Sequence, residues 1–307
     1  MGTLGALALS LVVLTQTTLG QSSRFRRLDP PAPRLTFRSD KDLVLINATV
    51  YDRNGRIVTD LSPQNFRLFE EKRPVDIRQF TLEETPLSTV ILLDLSGSMT
   101  GGIGYIRDAL ARYISRANPG DEFCLVSFAG SIQSDCTFTT DAGEILRQAS
   151  TEPPKGKTAL FDAMVFAFNS VKKAVNTRKA ILVLSDAIDT GSRYSFRETE
   201  ELARETMATV YIVRPGPGID EDRGTLIRLA EMVELTGGRM FEIDRLRNVP
   251  DFLDHLDIRQ QYMIGFDPPA SANDGKYHRV TLKLDAGDNR RLRVYWKHGY
   301  YAPSQSD

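Results

Sequence analysis

Short, continuously apolar runs separate stretches of helical periodicity between residues 89 and 236. The apolar runs, rich in valine, isoleucine and leucine, are residues 89–93, 123–128, 180–184 and 210–213. The segments with the apolar spacing of helices are residues 103–115, 142–150, 160–174, 196–207 and 225–236. Strands without polar alternation are buried on both faces, and their alternation with helices is typical of parallel sheets. This pattern predicts an α/β domain with a doubly wound, mostly parallel sheet that is covered by helices on both sides.

The segments on either side of this region alternate apolar and polar residues instead, as antiparallel strands do. Before it, strands are predicted at residues 43–51, 56–59, 65–69 and 75–82, with a hairpin turn at Asn54-Gly55 between the first two. After it, a helix at residues 249–260 precedes strands at residues 261–266, 277–284 and 292–297. Neither flank alone has enough strands for a stable core, so we expect both to pack together into one β-sandwich-like module. The predicted boundaries are 40–84 for the first β flank, 85–247 for the α/β domain and 248–303 for the C-terminal helix and second β flank.

The first twenty residues have the shape of an export signal. Residues 4–14 are almost uninterruptedly apolar, too short to span a bilayer comfortably, and the polar run 15–18 follows them. We therefore predict a signal peptide at residues 1–20, a linker at residues 21–39 and an exported protein, either periplasmic or secreted. Because no lysine or arginine precedes the apolar run, an uncleaved membrane anchor is the alternative interpretation.

The two cysteines of the chain, Cys124 and Cys136, lie on the two arms of a predicted hairpin at residues 122–128 and 132–138. Gly130, near the turn, is midway between them, and in that register the two side chains face each other within reach of a disulfide. A shift of one residue would leave two buried free thiols instead. Export would favour the disulfide, and the hairpin would give the parallel sheet an antiparallel edge.

Asp94, Ser96 and Ser98 follow the first buried strand, immediately before a glycine-rich turn and a helix. Open parallel sheets bind their ligands at the carboxyl ends of the strands. One carboxylate and two hydroxyls at alternating positions supply the hard oxygen ligands that Mg²⁺, Ca²⁺ or Mn²⁺ prefer. The alternative is a helix-entry loop in which these side chains cap exposed backbone amides.

Residues 94–98, with the sequence Asp-Leu-Ser-Gly-Ser, resemble the Asp-x-Ser-x-Ser signature of the metal-ion-dependent adhesion site in von Willebrand factor type A domains. Members of that family also supply a threonine from a later loop and an aspartate at the end of the fourth strand. Thr158 and Asp186 are similar to these two in position and order. The resemblance implies a Rossmann-like fold and a metal site formed by Asp94, Ser96, Ser98, Thr158 and Asp186.

In such domains the serines and the threonine bind the cation directly or through water, and the aspartates hold it largely through water. The resemblance therefore implies a divalent cation, in the first place Mg²⁺ with Mn²⁺ or Ca²⁺ as alternatives. An Asp or Glu carboxylate of a protein partner would complete its coordination. Ala187 departs from the family, which commonly has glycine after the last aspartate, and alanine tolerates fewer backbone conformations. Asp189 is expected to support the loop rather than to bind the cation.

The flanks resemble recurrent segments of a bacterial group of exported proteins with a type A-related domain. The segments that carry this second resemblance are residues 52–55, 61–66 and 299–303. The likeness extends over roughly residues 40–303. It implies that the β flanks belong with the α/β domain in one protein.

The composition and the remaining motifs argue against other functions. The formal net charge of −1 gives no overall field that would attract nucleic acid or an anionic membrane. The Gly-Lys-Thr at residues 156–158 lacks the earlier glycine of a nucleotide-binding loop, because position 151 is threonine. The three histidines, His255, His278 and His298, have no metal-ligand spacing and assist no evident nucleophile. We therefore predict a non-enzymatic, adhesion-type binding protein; the alternative is a structural or assembly component in which the α/β domain is a scaffold and the β module binds.

Overall fold

A computed structural model describes residues 43–149, 153–215, 223–243, 245–256, 258–269, 272, 274–285 and 291–303. The predicted signal peptide (1–20) and linker (21–39) lie outside the described residues. The described residues belong to one compact unit. Among the described residues, no helix is both long and apolar enough to cross a membrane.

The described residues form thirteen strands and six α-helices. The strands are β1 Val44–Tyr51, β2 Phe66–Glu70, β3 Arg73–Val75, β4 Ile77–Glu83, β5 Leu87–Asp94, β6 Glu122–Phe128, β7 Arg178–Leu184, β8 Thr209–Pro215, β9 Arg239–Ile243, β10 Gln261–Phe266, β11 Tyr277–Leu284, β12 Arg293–Trp296 and β13 Gly299–Tyr301. The helices are α1 Ile103–Ser115, α2 Ala142–Ala149, α3 Leu160–Ser170, α4 Phe196–Glu205, α5 Arg223–Glu234 and α6 Val249–His255. Short 3₁₀ turns precede α1 and α6 and follow α3.

A five-stranded sheet with the order β6-β5-β7-β8-β9 is parallel throughout. All eight residues of β5 are buried, as the unbroken apolar run at its centre predicts. One face of the sheet packs against α1, α2 and α6, and the other packs against α3, α4 and α5. The predicted α/β fold with helices on both sides is confirmed. Strand β9 was not predicted, and it forms one edge of this sheet.

Two antiparallel sheets of four strands each, β12-β1-β10-β4 and β13-β11-β2-β3, enclose a second core. Each sheet combines strands from before and after the α/β domain. In the first sheet, Val44 is paired with Phe266, and in the second, Phe66 is paired with Leu284. Side chains from both sheets meet in the shared core, so the β-sandwich-like module predicted from the two flanks is present.

Two of the strands predicted before the α/β domain differ in the structure. Residues 56–59 form no strand and touch β1 through a single bridge between Tyr51 and Ile57. The predicted strand 75–82 is interrupted, and its two parts, β3 and β4, belong to different sheets of the sandwich. This arrangement lets one short segment of chain pass from one sheet to the other.

The disulfide between Cys124 and Cys136 fixes a loop that follows β6. Their Cα atoms lie 5.3 Å apart. The second arm of the predicted hairpin is not a strand. Its backbone forms one isolated bridge with β6, between Ile132 and Phe128, and Thr139, just beyond the arm, forms another with Phe123. The predicted antiparallel edge is therefore reduced to these isolated bridges.

Buried polar groups join the sandwich to the α/β domain. The Lys297 amino group donates hydrogen bonds to the carbonyl oxygens of Arg204, at 3.0 Å, and Thr206, at the end of α4. The Gln261 amide donates to the Tyr211 hydroxyl on β8 at 3.0 Å. Because buried polar groups need hydrogen-bond partners, these contacts specify how the two parts meet.

Candidate metal site

The loops after β5 and β7 meet at the carboxyl end of the parallel sheet. Asp94 is the last residue of β5, and Leu93 is paired with Leu184, the last residue of β7. This register places Ser185 beside Asp94, and the Ser185 hydroxyl donates a hydrogen bond to Oδ2 of the Asp94 carboxylate. The first predicted ligand is thus anchored to the strand that carries the last one.

The Asp94 carboxylate is entirely buried. Its Oδ1 accepts a hydrogen bond from the backbone amide of Ser96 at 2.8 Å. Burial raises the pKa of Asp94, and the neighbouring Asp186 carboxylate adds to that effect against the hydrogen bonds from Ser185 and Ser96. A buried carboxylate is costly to ionise without a positive partner, so a cation at this position would stabilise its charged form.

The hydroxyl oxygens of Ser96 and Ser98 lie 3.1 Å apart. Adjacent ligands of an octahedral Mg²⁺, each about 2.1 Å from the ion, are separated by about 3.0 Å. Ser96 is buried and Ser98 is exposed, so the pair extends from the interior to the surface. The spacing of these two oxygens therefore fits neighbouring positions around one cation.

A second loop brings Thr158 to the same end of the sheet. Backbone hydrogen bonds join the two loops, from Gly97 to the Gly156 carbonyl at 3.1 Å and from Lys155 to the Leu95 carbonyl at 2.8 Å. Thr158 is 4% exposed, and its hydroxyl makes no hydrogen bond within the described part of the chain. This hydroxyl is consequently available to a ligand.

Asp186 lies on the third loop and is partly buried. Its Oδ1 accepts a hydrogen bond from the backbone amide of Ile188 at 3.1 Å. The Arg214 side chain donates from Nε to the Asp186 carbonyl at 3.3 Å. A hydrogen bond from a buried arginine thus stabilises the backbone of this predicted ligand.

Ala187 adopts a left-handed backbone conformation, with a φ of 67°. Its amide donates a hydrogen bond to the Ser185 hydroxyl at 3.0 Å, and its side chain is buried. The loop therefore keeps the backbone geometry that glycine adopts without strain, although the residue here is alanine.

Asp189 and Asp162 stabilise the loops by accepting hydrogen bonds. Asp189 accepts one from the backbone amide of Phe161 at 3.4 Å and another from the Ser192 hydroxyl. Asp162, in the first turn of α3, accepts from the backbone amides of Arg193 at 2.8 Å and Tyr194 at 3.0 Å. Burial alone would raise the pKa of Asp162, but these hydrogen bonds, with the Arg193 side chain, lower it.

Three of these supporting residues are not predicted by the sequence: Ser185, Asp162 and Arg214. Ser185 and Asp162 lie close in sequence to the predicted ligands Asp186 and Thr158, and this proximity is the only sign of their role that the sequence contains. Arg214 has no such signal, because its contact with the Asp186 carbonyl depends on strand pairing between β7 and β8.

The donor set is made of oxygens alone. Within the described ranges, no group of three or more His, Cys, Asp and Glu residues stands close enough to hold a metal ion. A cation here would therefore depend on hydroxyl oxygens together with two carboxylates. That chemistry suits hard cations such as Mg²⁺ and is unsuited to ions that prefer sulfur or imidazole.

Residues 89–188 match the family model of the von Willebrand factor type A domain. A comparison with curated proteins found no match. Similar solved structures include BatB of Bacteroides thetaiotaomicron, with 17% identity over 55% of this chain and 95% of that one and a TM-score of 0.44. A von Willebrand factor type A protein of Catenulispora acidiphila has 11% identity over 87% and 76% of the two chains and a TM-score of 0.49.

Proximal thread matrix protein 1 of the mussel byssus, described as having a zinc-occupied MIDAS motif, has 16% identity over 60% of this chain and 48% of that one, with a TM-score of 0.46. Sequence identity and TM-score are low for all three structures.

Proposed function

The α/β part of this chain contains a von Willebrand factor type A domain, and we propose that it binds a protein partner through a divalent cation. Asp94, Ser96, Ser98, Thr158 and Asp186 would hold the ion. The bound cation would supply a positive charge with an incomplete set of ligands. An Asp or Glu carboxylate of the partner would fill the remaining position, so the protein would act in adhesion without catalysis.

The observation that carries this proposal is that the loops of Asp94, Thr158 and Asp186 meet at the carboxyl end of the parallel sheet. The register of β5 with β7 brings Asp94 next to the loop that carries Asp186. The backbone bonds of Gly97 and Lys155 bring the Thr158 loop to the same place. Residues distant in sequence thereby lie together at the carboxyl end of the sheet, where parallel sheets bind their ligands.

Two features of the chain support the proposed export of the protein. The apolar run at residues 4–14 is the basis for proposing a periplasmic or secreted protein. The Cys124–Cys136 disulfide fits an oxidising compartment. A protein outside the cytoplasm meets its partner in free solution or on a surface, where a site that extends to the exposed Ser98 would be accessible.

Calorimetry with Mg²⁺, Mn²⁺ and Ca²⁺ tests the metal site. We expect Ser98→Ala to weaken cation binding at least about tenfold, because it removes one ligand from the surface side of the site. Ser115→Ala is the matched control, since Ser115 ends α1 and its hydroxyl donates only to the Arg112 carbonyl at 2.8 Å. Equal cation affinity in both variants, or no heat with any of the three ions, would refute the metal site.

The partner is tested by capture from cell envelopes with and without a chelator. We expect chelator to release the bound protein and Ser98→Ala to reduce its capture. Capture that is unaffected by chelator would favour the alternative function, in which the α/β domain is a scaffold and the β-sandwich binds.

A further inference from the structure

A cavity of about 950 Å³ lies beside β9, at the edge of the parallel sheet opposite to β6. Three segments line it: residues 51–57, β9 itself and the region of α6. Its volume is that of a site for a ligand of several residues or for a drug-sized molecule. The cavity is distinct from the metal site, since none of the five predicted metal ligands lines it.

The cavity exposes an unpaired strand edge. Strand β9 is bonded to β8 on one side. On its other side, no backbone hydrogen bond from β9 to any other described residue exists. An edge of this kind is a template for an added strand, because its amide and carbonyl groups can pair with an extended peptide.

Three arginines around the cavity form no close ion pair with a carboxylate of the described residues, and the one carboxylate whose pKa registers the charge of Arg239 is that of Glu234. Arg53 and Arg56 are exposed on the loop beside β9, and Arg239 begins β9. The two acidic residues nearest to them in sequence or strand are already engaged. The Asp52 carboxylate accepts hydrogen bonds from the backbone amides of Asn54, at 2.8 Å, and Arg56, at 2.9 Å. Glu242 forms an ion pair with Arg214 at 2.8 Å.

Aromatic rings hold the Arg239 guanidinium at the cavity wall. It lies 4.8 Å from the ring centre of Phe241, 5.4 Å from that of Tyr295 and 5.5 Å from that of Tyr51. Stacking on aromatic rings restrains a guanidinium while its N–H groups remain able to bind a carboxylate in bidentate fashion. Phe252 and Leu256 add an apolar surface to the same cavity.

We propose that this cavity binds an extended acidic peptide segment of a partner protein, which pairs as an additional strand with β9. Backbone hydrogen bonds to β9 would give affinity without regard to sequence. Carboxylates on alternate residues would lie on the face of β9 that carries Arg239 and Phe241, and the apolar side chains between them would lie on the opposite face, with Met240. This site is independent of the cation, so the protein would have two separate binding surfaces.

A fluorescein-labelled, amidated pentapeptide of alternating valine and glutamate tests the proposal by fluorescence anisotropy, with chelator present throughout. We expect saturable binding that weakens with salt and becomes at least about tenfold weaker in Arg239→Gln, because a charge-assisted bidentate contact is lost. Arg73→Gln, on the exposed strand β3, is the matched control and should bind as the parent does.

Two further measurements make the result decisive. The same peptide with glutamine in place of glutamate should bind at least about tenfold more weakly. Hydrogen exchange should show new protection of β9 amides when the acidic peptide binds. Equal binding of both peptides, equal binding by Arg239→Gln and the control, or binding without protection of β9 would each overturn the proposal.

The presence of chelator separates this result from the metal-dependent function. Loss of cation binding in Ser98→Ala should leave peptide affinity unchanged. A peptide that binds only when Mg²⁺ is present would belong to the metal site and would also overturn the proposal.

Discussion

At the scale of single residues, Ala187 and Asp94 each lower the stability of the protein through the geometry of the site. Ala187 has a φ of 67° in the loop that carries Asp186, and alanine is disfavoured there by roughly 1–2 kcal/mol. Asp94 is a carboxylate buried beside a second carboxylate. Both are costly to the protein without a metal, and strain of this kind is typical of binding sites.

Substitutions at Ala187 test the backbone conformation. We expect Ala187→Gly to change the free energy of unfolding by less than about 1 kcal/mol, because relief of strain offsets the lost methyl group. Ala187→Val should destabilise by more than about 2 kcal/mol, since a β-branched residue is poorly tolerated at positive φ in a packed site. Urea unfolding of both variants measures the difference, and equal stabilities would contradict the left-handed conformation.

The substitution Asp94→Asn separates stability from binding. In chelator we expect it to raise the free energy of unfolding by roughly 1 kcal/mol, because the amide keeps the shape of the side chain and removes a buried charge. The parent protein should gain about 2.7 kcal/mol when Mg²⁺ is at one hundred times its dissociation constant, and Asp94→Asn should gain nothing. Thermal unfolding with and without Mg²⁺ shows both effects. A Mg²⁺-dependent gain in the variant would remove Asp94 from the ligand set.

At the scale of elements, the sequence predicted those strands that are composed almost entirely of apolar residues. The runs at β5, β7 and β8 are apolar throughout because both faces of each are covered. Strand β9, with the sequence Arg-Met-Phe-Glu-Ile, lies at the edge of the sheet and contains two charged residues, so it lacked that signal. Its position depends on Gly238, where a Cβ would lie 1.7 Å from the Val210 carbonyl oxygen.

The loop after β6 shows why a hairpin pattern need not give a hairpin. The Ser127 amide donates a hydrogen bond to the Ser134 hydroxyl at 3.0 Å, in place of a backbone carbonyl. A side-chain hydroxyl thus takes the place of the backbone carbonyl that an antiparallel pair of strands would supply. The alternation of polar and apolar residues does not predict such a replacement. In the candidate metal site, the same limit applies to Ser185 and Arg214, whose roles depend on strand register.

Removal of the disulfide tests how much this loop contributes to stability. The bond closes a loop with a sequence separation of 12 residues, which corresponds to about 3 kcal/mol of lost unfolded-state entropy. We expect the double variant Cys124→Ala with Cys136→Ala to unfold at lower urea concentration by that free energy. Reductant should lower the stability of the parent and leave the variant unchanged, and an insensitive parent would show that the bond is absent.

At the scale of the whole molecule, the sandwich and the α/β domain share a polar, buried junction at residues 297–298. The His298 amide donates to the Leu235 carbonyl at 3.0 Å, and the Lys297 amino group reaches the end of α4. Burial lowers the pKa of His298 to about 4, with Arg279, Arg204 and Lys297 adding to the effect. The junction therefore favours a neutral histidine.

The junction predicts a loss of stability in mild acid. The folded-state pKa of His298, about 4, is below its ordinary value of 6.5, so the unfolded chain takes up the proton first as pH falls. The stability present above about pH 6.5 should decline toward pH 4, by about 3 kcal/mol from this group. Urea unfolding between pH 4 and 7 measures it, and His298→Gln should flatten the dependence.

His278 is the natural control for this experiment. Burial works against its charged form, but hydrogen bonds with Asp274 and Glu70 outweigh that effect and raise the pKa of His278. Its contribution to stability is full below about pH 6.5 and is lost as pH rises through its folded-state pKa. In His278→Gln, the free energy of unfolding should therefore decline more steeply as pH falls. In His298→Gln, this decline should be smaller. The same slope in both variants would contradict the assignment.

The interleaving of the two flanks also determines how the molecule carries mechanical load. The described chain enters the sandwich at β1 and leaves it at β13, and these strands belong to different sheets. Tension applied between them would act first to separate the two sheets. The α/β domain, inserted between these flanks, would be stretched only after the sandwich had opened. A partner bound at the Asp94 site, as proposed, would consequently be retained while β1 and β13 are under force.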